Sequence, residues 1–413
     1  MPTSPLSPLV VEELLPAERT LRVAFVTETW PPEVNGVAMT VARVVDGLQR
    51  RRHEVQLLRP RQAAESTPAT EPAGPLLHEV LMRGLPIPRY PHLRMGMPCK
   101  RELVQRWSQQ RPDVVHVATE GPLGWSALHA ARHLKLPVTS DFRTNFHAYS
   151  RHYGIGWLRG PIMGYLRRFH NAAAVTMVPT EPLRRELEGA GFRHVRVVAR
   201  GVDCRRFAPT RRSHALRAAW GVAEGDLVVA CVGRLAPEKN LEVLVRAYQA
   251  IHAADARARL LLVGDGPMRD VLAARLPGAI LAGSRHGDDL PAHYASADLF
   301  LFPSLTETFG NVTTEAMASG LPVVAFDYAA AAQMIRPGEQ GVLVPFGDGD
   351  EFVRAAVALS ASRACRQAMG EAARRRALVQ DWDSVISRFE AELWLATRRP
   401  PPQAAVWTAT TAA

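Results

Sequence analysis

At 413 residues the chain is too long for one ordinary hydrophobic core and comfortable for two. Its 47% hydrophobic and 22% charged content is that of a soluble globular protein, and no run of roughly eighteen apolar residues is present to span a membrane. The net charge of +10 is concentrated. Residues Arg143 to Arg212 hold fourteen Arg, no Lys and four acidic residues, an excess of ten. This localised basic stretch predicts an anionic partner, a phospholipid surface or a phosphorylated acceptor. Nucleic acid is set aside because no nucleic-acid module accompanies the arginines.

Residues 1–20 read as a flexible leader, because Glu12 and Glu13 stand where a secretory signal is apolar. The expected location is the cytoplasm, with peripheral attachment to the inner face of the membrane left open. Four scattered cysteines, Cys99, Cys204, Cys231 and Cys365, lack metal-ligand or redox spacing. Leu21 to Thr27 is a buried-strand run, followed by helical periodicity at Val37, Val41, Val44 and Leu48. Between them Gly36 allows close backbone approach to a ligand at a helix start. Glu54 to Leu58, Val114 to Val117, Pro137 to Ser140 and Val175 to Val178 are further strands, separated by a loop over Gln62 to Gly74 and by helices such as Leu123 to His133. This alternation predicts a parallel sheet. The segment Asp141 to Tyr153 is dense in polar groups straight after a strand, where open α/β sheets place ligands. Within it, Arg143 can hold a carboxylate or phosphate bidentately, and His147 supplies an imidazole. Trp157 to His170 puts Leu158, Ile162, Leu166 and Phe169 on one helical face with Arg159, Arg167 and Arg168 off it. That pattern fits a core-facing helix or an interfacial one lying on anionic lipid. Val195 to Pro209 loses periodicity after Gly201-Val202-Asp203 and reads as the domain junction.

A second alternation starts at Leu227 to Val232. The turn after it, Gly233 to Asn240, contains Arg234 and Lys239, the latter one of only three lysines in the chain. On one strand-to-helix turn, these two bracket a diphosphate. Leu260 to Gly266 and Ile280 to Arg285 are two more strand-to-loop corners. The strand Asp298 to Phe302 leads into a loop carrying Glu307 and Gly310, and Glu315 lies one turn into the next helix. The Gly310-Asn311-Val312-Thr313 turn offers unpaired N–H groups to a phosphate, while the carboxylates suit hydroxyls. A nucleotide sugar carries both. Leu321 to Phe326 and Gly341 to Val344 complete the sheet, helical pattern runs from Asp348 to Leu395, and Arg398 to Ala413 is predicted disordered.

Glu307-x-Phe309-Gly310-x-x-x-x-Glu315 resembles the Glu-x7-Glu signature of the retaining glycosyltransferases of family four, and the resemblance runs from about Leu21 to Trp394. It implies the α/β GT-B fold, with two Rossmann-like domains facing across a cleft and a C-terminal helix crossing back. The expected divisions are 21–200 on the acceptor side, a linker at 201–212, the nucleotide-sugar domain at 213–380, the returning helix at 381–397 and a tail at 398–413. By resemblance, the Gly36 loop closes over the donor phosphates, although Asn35 stands where a second glycine is usual. Arg234 and Lys239 hold the pyrophosphate and stabilise the leaving nucleoside diphosphate. Glu307 meets the sugar hydroxyls, Glu315 meets the ribose, and Gly310, Asn311 and Val312 complete the donor seat. Relatives usually have a sugar-contacting His where this chain has Arg143, so Arg143 counts among the donor-binding residues, meeting an anionic group of donor or acceptor, and either it or His147 takes the place of that His. No metal and no cofactor beyond the donor is implied. The expected reaction is transfer of a hexosyl group, mannosyl by preference, to a lipid or lipid-linked acceptor. A polysaccharide-building transferase, a nucleotide-sugar hydrolase or epimerase, and a non-catalytic binding module remain as alternatives.

Overall fold

The computed structural model describes residues 19–31, 33, 36–62, 75–87, 90–143, 159–307 and 309–398. The leader up to residue 18, the tail from 399, His147, Trp157 and Leu158 lie outside them.

The first half is a seven-stranded parallel sheet. Its strands, in chain order, are β1 (Arg22–Val26), β2 (Glu54–Pro60), β3 (Leu77–Met82), β6 (Val114–Val117), β7 (Val138–Asp141), β8 (Val175–Val178) and β9 (Val195–Val197). The spatial order is β3-β2-β1-β6-β7-β8-β9. The omitted pair, β4 (Gly84–Ile87) and β5 (Tyr90–Gly96), forms a separate antiparallel hairpin. The second half is a six-stranded parallel sheet of β10 (Val228–Val232), β11 (Arg259–Val263), β12 (Ile280–Gly283), β13 (Leu299–Phe302), β14 (Val323–Phe326) and β15 (Gly341–Val344). Its order is β12-β11-β10-β13-β14-β15. Helices cover both faces, so β10 and β13 are apolar throughout and wholly buried, and β1 and β6 are so apart from the exposed Arg22 that opens β1 and the buried His116 in β6. In each sheet the progression of strand order reverses once, between β1 and β6 and between β10 and β13, while all strands stay parallel.

The last helix, Trp382–Thr397, belongs to the core of the first half. Phe389, fully buried, packs against the rings of both Phe25 and His116. The Leu21 N–H donates to His53 Nδ1 at 2.9 Å, so the opposite ring nitrogen donates to Glu390 Oε1 at 2.9 Å. Arg51 Nη1 donates to the other carboxylate oxygen at 2.7 Å. Burial opposes ionisation of Glu390, but these two partners outweigh it and hold its pKa down at about 2.

Of the two readings of the helix after Trp157 the core-facing one holds, and the expected single basic face changes. The helix described over Arg159–His170 buries Leu166 and Phe169 among core side chains, so its apolar face is not available to lipid. Nor do the Arg143 to Arg212 arginines make one basic face. Arg143 and Arg200 are buried, Arg184 is paired with Glu181 and Glu188, and Arg167 and Arg168 are exposed.

Candidate active site

The loops after β10 and β13 leave the sheet on either side of its reversal, which opens a crevice at the carboxyl ends of the strands. The first loop is braced from beneath by the corner after β11. Gly233 N–H donates to Val263 O, and Leu235 N–H donates to Asp265 O, both at 2.9 Å. A Cβ on Gly264 would sit 1.9 Å from Gly233 O, and φ there is +136°, so only glycine permits this stacking of loops.

Lys239 closes the crevice by pairing its ammonium with Glu307 Oε1. The same oxygen accepts from Ser304 Oγ at 2.8 Å, and Tyr328 OH anchors the Glu307 main-chain oxygen at 2.8 Å. The Lys239 ammonium also lies 5.8 Å from the centre of the Phe302 ring. Arg234 keeps its side chain 64% exposed, with Nη1 3.6 Å from Glu238 Oε1, and so stands at the mouth of the site. Gly310, at φ +91°, turns the chain into the helix Asn311–Ala318, whose start no side chain caps. The uncapped N–H groups of Asn311 and Val312 sit there beside a buried Asn311 Oδ1 that has no hydrogen-bond partner. One turn on, Glu315 Oε2 accepts from Tyr294 OH at 2.9 Å. Burial raises the Glu315 pKa, against the lowering effects of the Tyr294 bond and of Arg206.

The opposite wall is the reversal point of the first sheet. Glu28 N–H donates to Thr119 Oγ1 and Leu123 N–H donates to Glu28 Oε1, tying the loop after β1 to the one after β6. Burial pushes the Glu28 carboxyl up to about 7, with Leu123 N–H opposing and Glu120 reinforcing the shift. Gly36 begins the helix Gly36–Arg50, and a Cβ there would fall 3.3 Å from Arg200 Nη1. Arg143 bonds through Nε to Asp141 Oδ2, which also meets His116 Nε2 at 3.2 Å. Burial works against the Asp141 carboxylate, but Arg143 and His116 hold its pKa at about 2. The walls touch where Ala199, Phe309 and Ala330 pack together and where Arg43 pairs with Asp203 at 3.2 Å.

Lys239 and Glu307 are therefore in direct contact. Arg234, Gly310, Asn311 and Val312 are on the same two loops, and Glu315 lies behind them. Gly36 and Arg143 are on the facing wall, and His147 lies outside the described residues. Sequence reasoning missed Arg200, Asp141, Ser304, Tyr294 and Tyr328. Of these, Asp141 left a trace at the head of the polar segment after its strand, and Arg200 as an arginine immediately before the Gly201-Val202-Asp203 junction. Among the described residues, no group of three or more His, Cys, Asp or Glu is placed to hold a metal ion, and no helix is long and apolar enough to cross a membrane.

Residues 34–206 match the family model described as Glycosyltransferase Family 4, and residues 226–362 match that described as Glycosyl transferases group 1. A GDP-mannose-dependent alpha-mannosyltransferase of Mycobacterium tuberculosis is 36% identical over 90% of this chain and 97% of its own. An alpha-monoglucosyldiacylglycerol synthase of Streptococcus pneumoniae is 25% identical over 74% and 71%. The solved structure of sucrose-phosphate synthase from Thermosynechococcus elongatus superposes with a TM-score of 0.73 at 17% identity, covering 92% of this chain and all of that one.

Proposed function

Because the chain belongs to glycosyltransferase family 4 and has its GT-B fold, we propose that it moves a mannosyl group from GDP-mannose, with retained configuration, to a lipid or lipid-linked acceptor. The observation that carries the reading is the Lys239–Glu307 contact beside the uncapped helix start at Gly310, which places cation, carboxylate and free N–H groups at one crevice. In this reading the bond between sugar C1 and the phosphate oxygen breaks, and a bond from C1 to the acceptor oxygen forms on the same face. The acceptor proton passes to the departing phosphate. Arg234, Lys239 and the helix start stabilise the charge that gathers on the leaving oxygen. Glu307 orients the sugar through its hydroxyls, and Glu315 accepts from the ribose. His147 is retained as a candidate sugar contact. The mannosyl preference and the lipid acceptor are supported by the names of the relatives.

The test is incubation with GDP-mannose, UDP-glucose or UDP-glucuronate in the presence of diacylglycerol or total lipid extract, read by chromatography and mass spectrometry. A mannosylated lipid formed from GDP-mannose, with turnover unaffected by EDTA, is expected. Free mannose released without acceptor dependence would point to a hydrolase instead.

A further inference from the structure

Two arginines on the first-half wall go beyond what holds the donor. Arg200 is 6% exposed, its Nε has no hydrogen-bond partner, and no hydrogen bond or ion pair joins it to another described residue. Its Nη1 lies against Gly36, and its Cζ is 5.9 Å from the centre of the Phe309 ring, so the guanidinium stands between the two walls of the cleft. Arg143, 8% exposed, is bonded to Asp141. Burial first, and then the charge of Arg143, pull the Arg200 pKa down to about 9, while Asp141 and Glu307 act the other way. Glu307, however, is already engaged by Lys239. Two buried cations thus share one carboxylate, and a desolvated guanidinium is left without its counter-charge.

The donor diphosphate is met on the opposite wall by Arg234, Lys239 and the Asn311–Ala318 helix start. We propose that Arg143 and Arg200 form a second anion seat, which takes a carboxylate or phosphate carried by the acceptor near the hydroxyl that is glycosylated, so that acidic acceptors are selected over neutral ones. Planar guanidinium groups suit either anion through paired hydrogen bonds. A Cβ at Gly36 would fall 3.3 Å from Arg200 Nη1, so a side chain there would press the guanidinium aside by a few tenths of an ångström. The inference rests on the glycosyl-transfer reading.

The test uses the purified full chain with GDP-mannose and three octyl acceptors that differ at one position: octyl glucoside, octyl glucuronide and octyl glucoside 6-phosphate. A gain of about ten- to hundredfold in kcat/KM for one acid over the neutral glycoside is expected, from the usual strength of charge-assisted hydrogen bonds. The acid that gains distinguishes a carboxylate seat from a phosphate seat. Arg200→Gln should bring that preference toward unity while GDP affinity, read by calorimetry, is retained. Should that variant fail to fold, Arg143→Gln is read the same way, and the wild-type preference remains a test by itself. Equal use of all three acceptors overturns the seat but leaves the transferase reading standing. Loss of GDP affinity in folded Arg200→Gln also overturns it, by placing that residue on the donor. Transfer to none of the three, nor to the lipids above, overturns the transferase reading and the seat with it.

Discussion

Lys239 and Glu307 neutralise each other, so in the proposed reaction an arriving diphosphate competes with a carboxylate for the ammonium. Lys239→Ala is expected to lower kcat by roughly 10²- to 10³-fold, the usual loss when a group that stabilises developing charge is removed. Glu307→Gln should separate binding from turnover: GDP binds more tightly to the freed ammonium while kcat falls. Calorimetry and steady-state kinetics read the two effects, and weaker GDP binding in Glu307→Gln would contradict this account. In the proposed role Glu315 is ionised to accept from two ribose hydroxyls, yet burial raises its pKa, and the Tyr294 hydrogen bond is the larger of two restraints on the rise, the charge of Arg206 being the other. In Tyr294→Phe the larger restraint is gone, the pKa climbs further, and the ionised form is lost at a higher pH as the solution is acidified. The donor KM of that variant should therefore rise more steeply toward acidic pH than in the wild type. Parallel KM–pH profiles would rule this out.

The strands that present these residues were legible because a parallel sheet buried on both faces demands continuous apolar runs, and Val228 to Val232 or Leu299 to Phe302 is such a run. Leu77 to Met82, at the sheet edge, mixes His78 and Glu79 into its pattern, and the hairpin over 84–96 carries Pro86 and Pro91, which count against a strand. Neither was read from the sequence. At the site, the glutamate spacing and the rare lysine marked the two loops that meet at the crevice. The residues that orient them were hidden: Tyr294 precedes Glu315 by 21 positions, and Arg200 sits where periodicity ends. Loop stacking was also invisible, because Gly264 matters only through the carbonyl of Gly233. Gly264→Ala is expected to destabilise the protein by at least ~1–3 kcal/mol, from backbone strain at positive φ alone, and to raise the donor KM by displacing the Arg234 loop. Urea unfolding measures the first effect. Gly278→Ala, which meets nothing within 4 Å, serves as the control.

The chain crosses between its halves twice, and the crossings run side by side. Val202 N–H donates to Gln380 O at 3.1 Å, and a Cβ on Gly201 would come within 2.7 Å of the Trp382 ring. The final helix thereby completes the core of the half that was begun first. Phe389→Ala is expected to cost the first half about 3–5 kcal/mol while the second half still binds GDP. Thermal unfolding with and without GDP should show the loss confined to the transition that GDP does not shift, and equal loss in both would contradict the assignment. The same arrangement sets an order of events during synthesis. At about 5–20 residues per second, the ribosome has delivered the entire second sheet before Phe389 and Leu393 emerge. The first half therefore waits, with part of its apolar surface uncovered, until residue 393 has been added, and a message truncated near codon 380 would yield a nascent chain that draws chaperones to its first sheet rather than to its second.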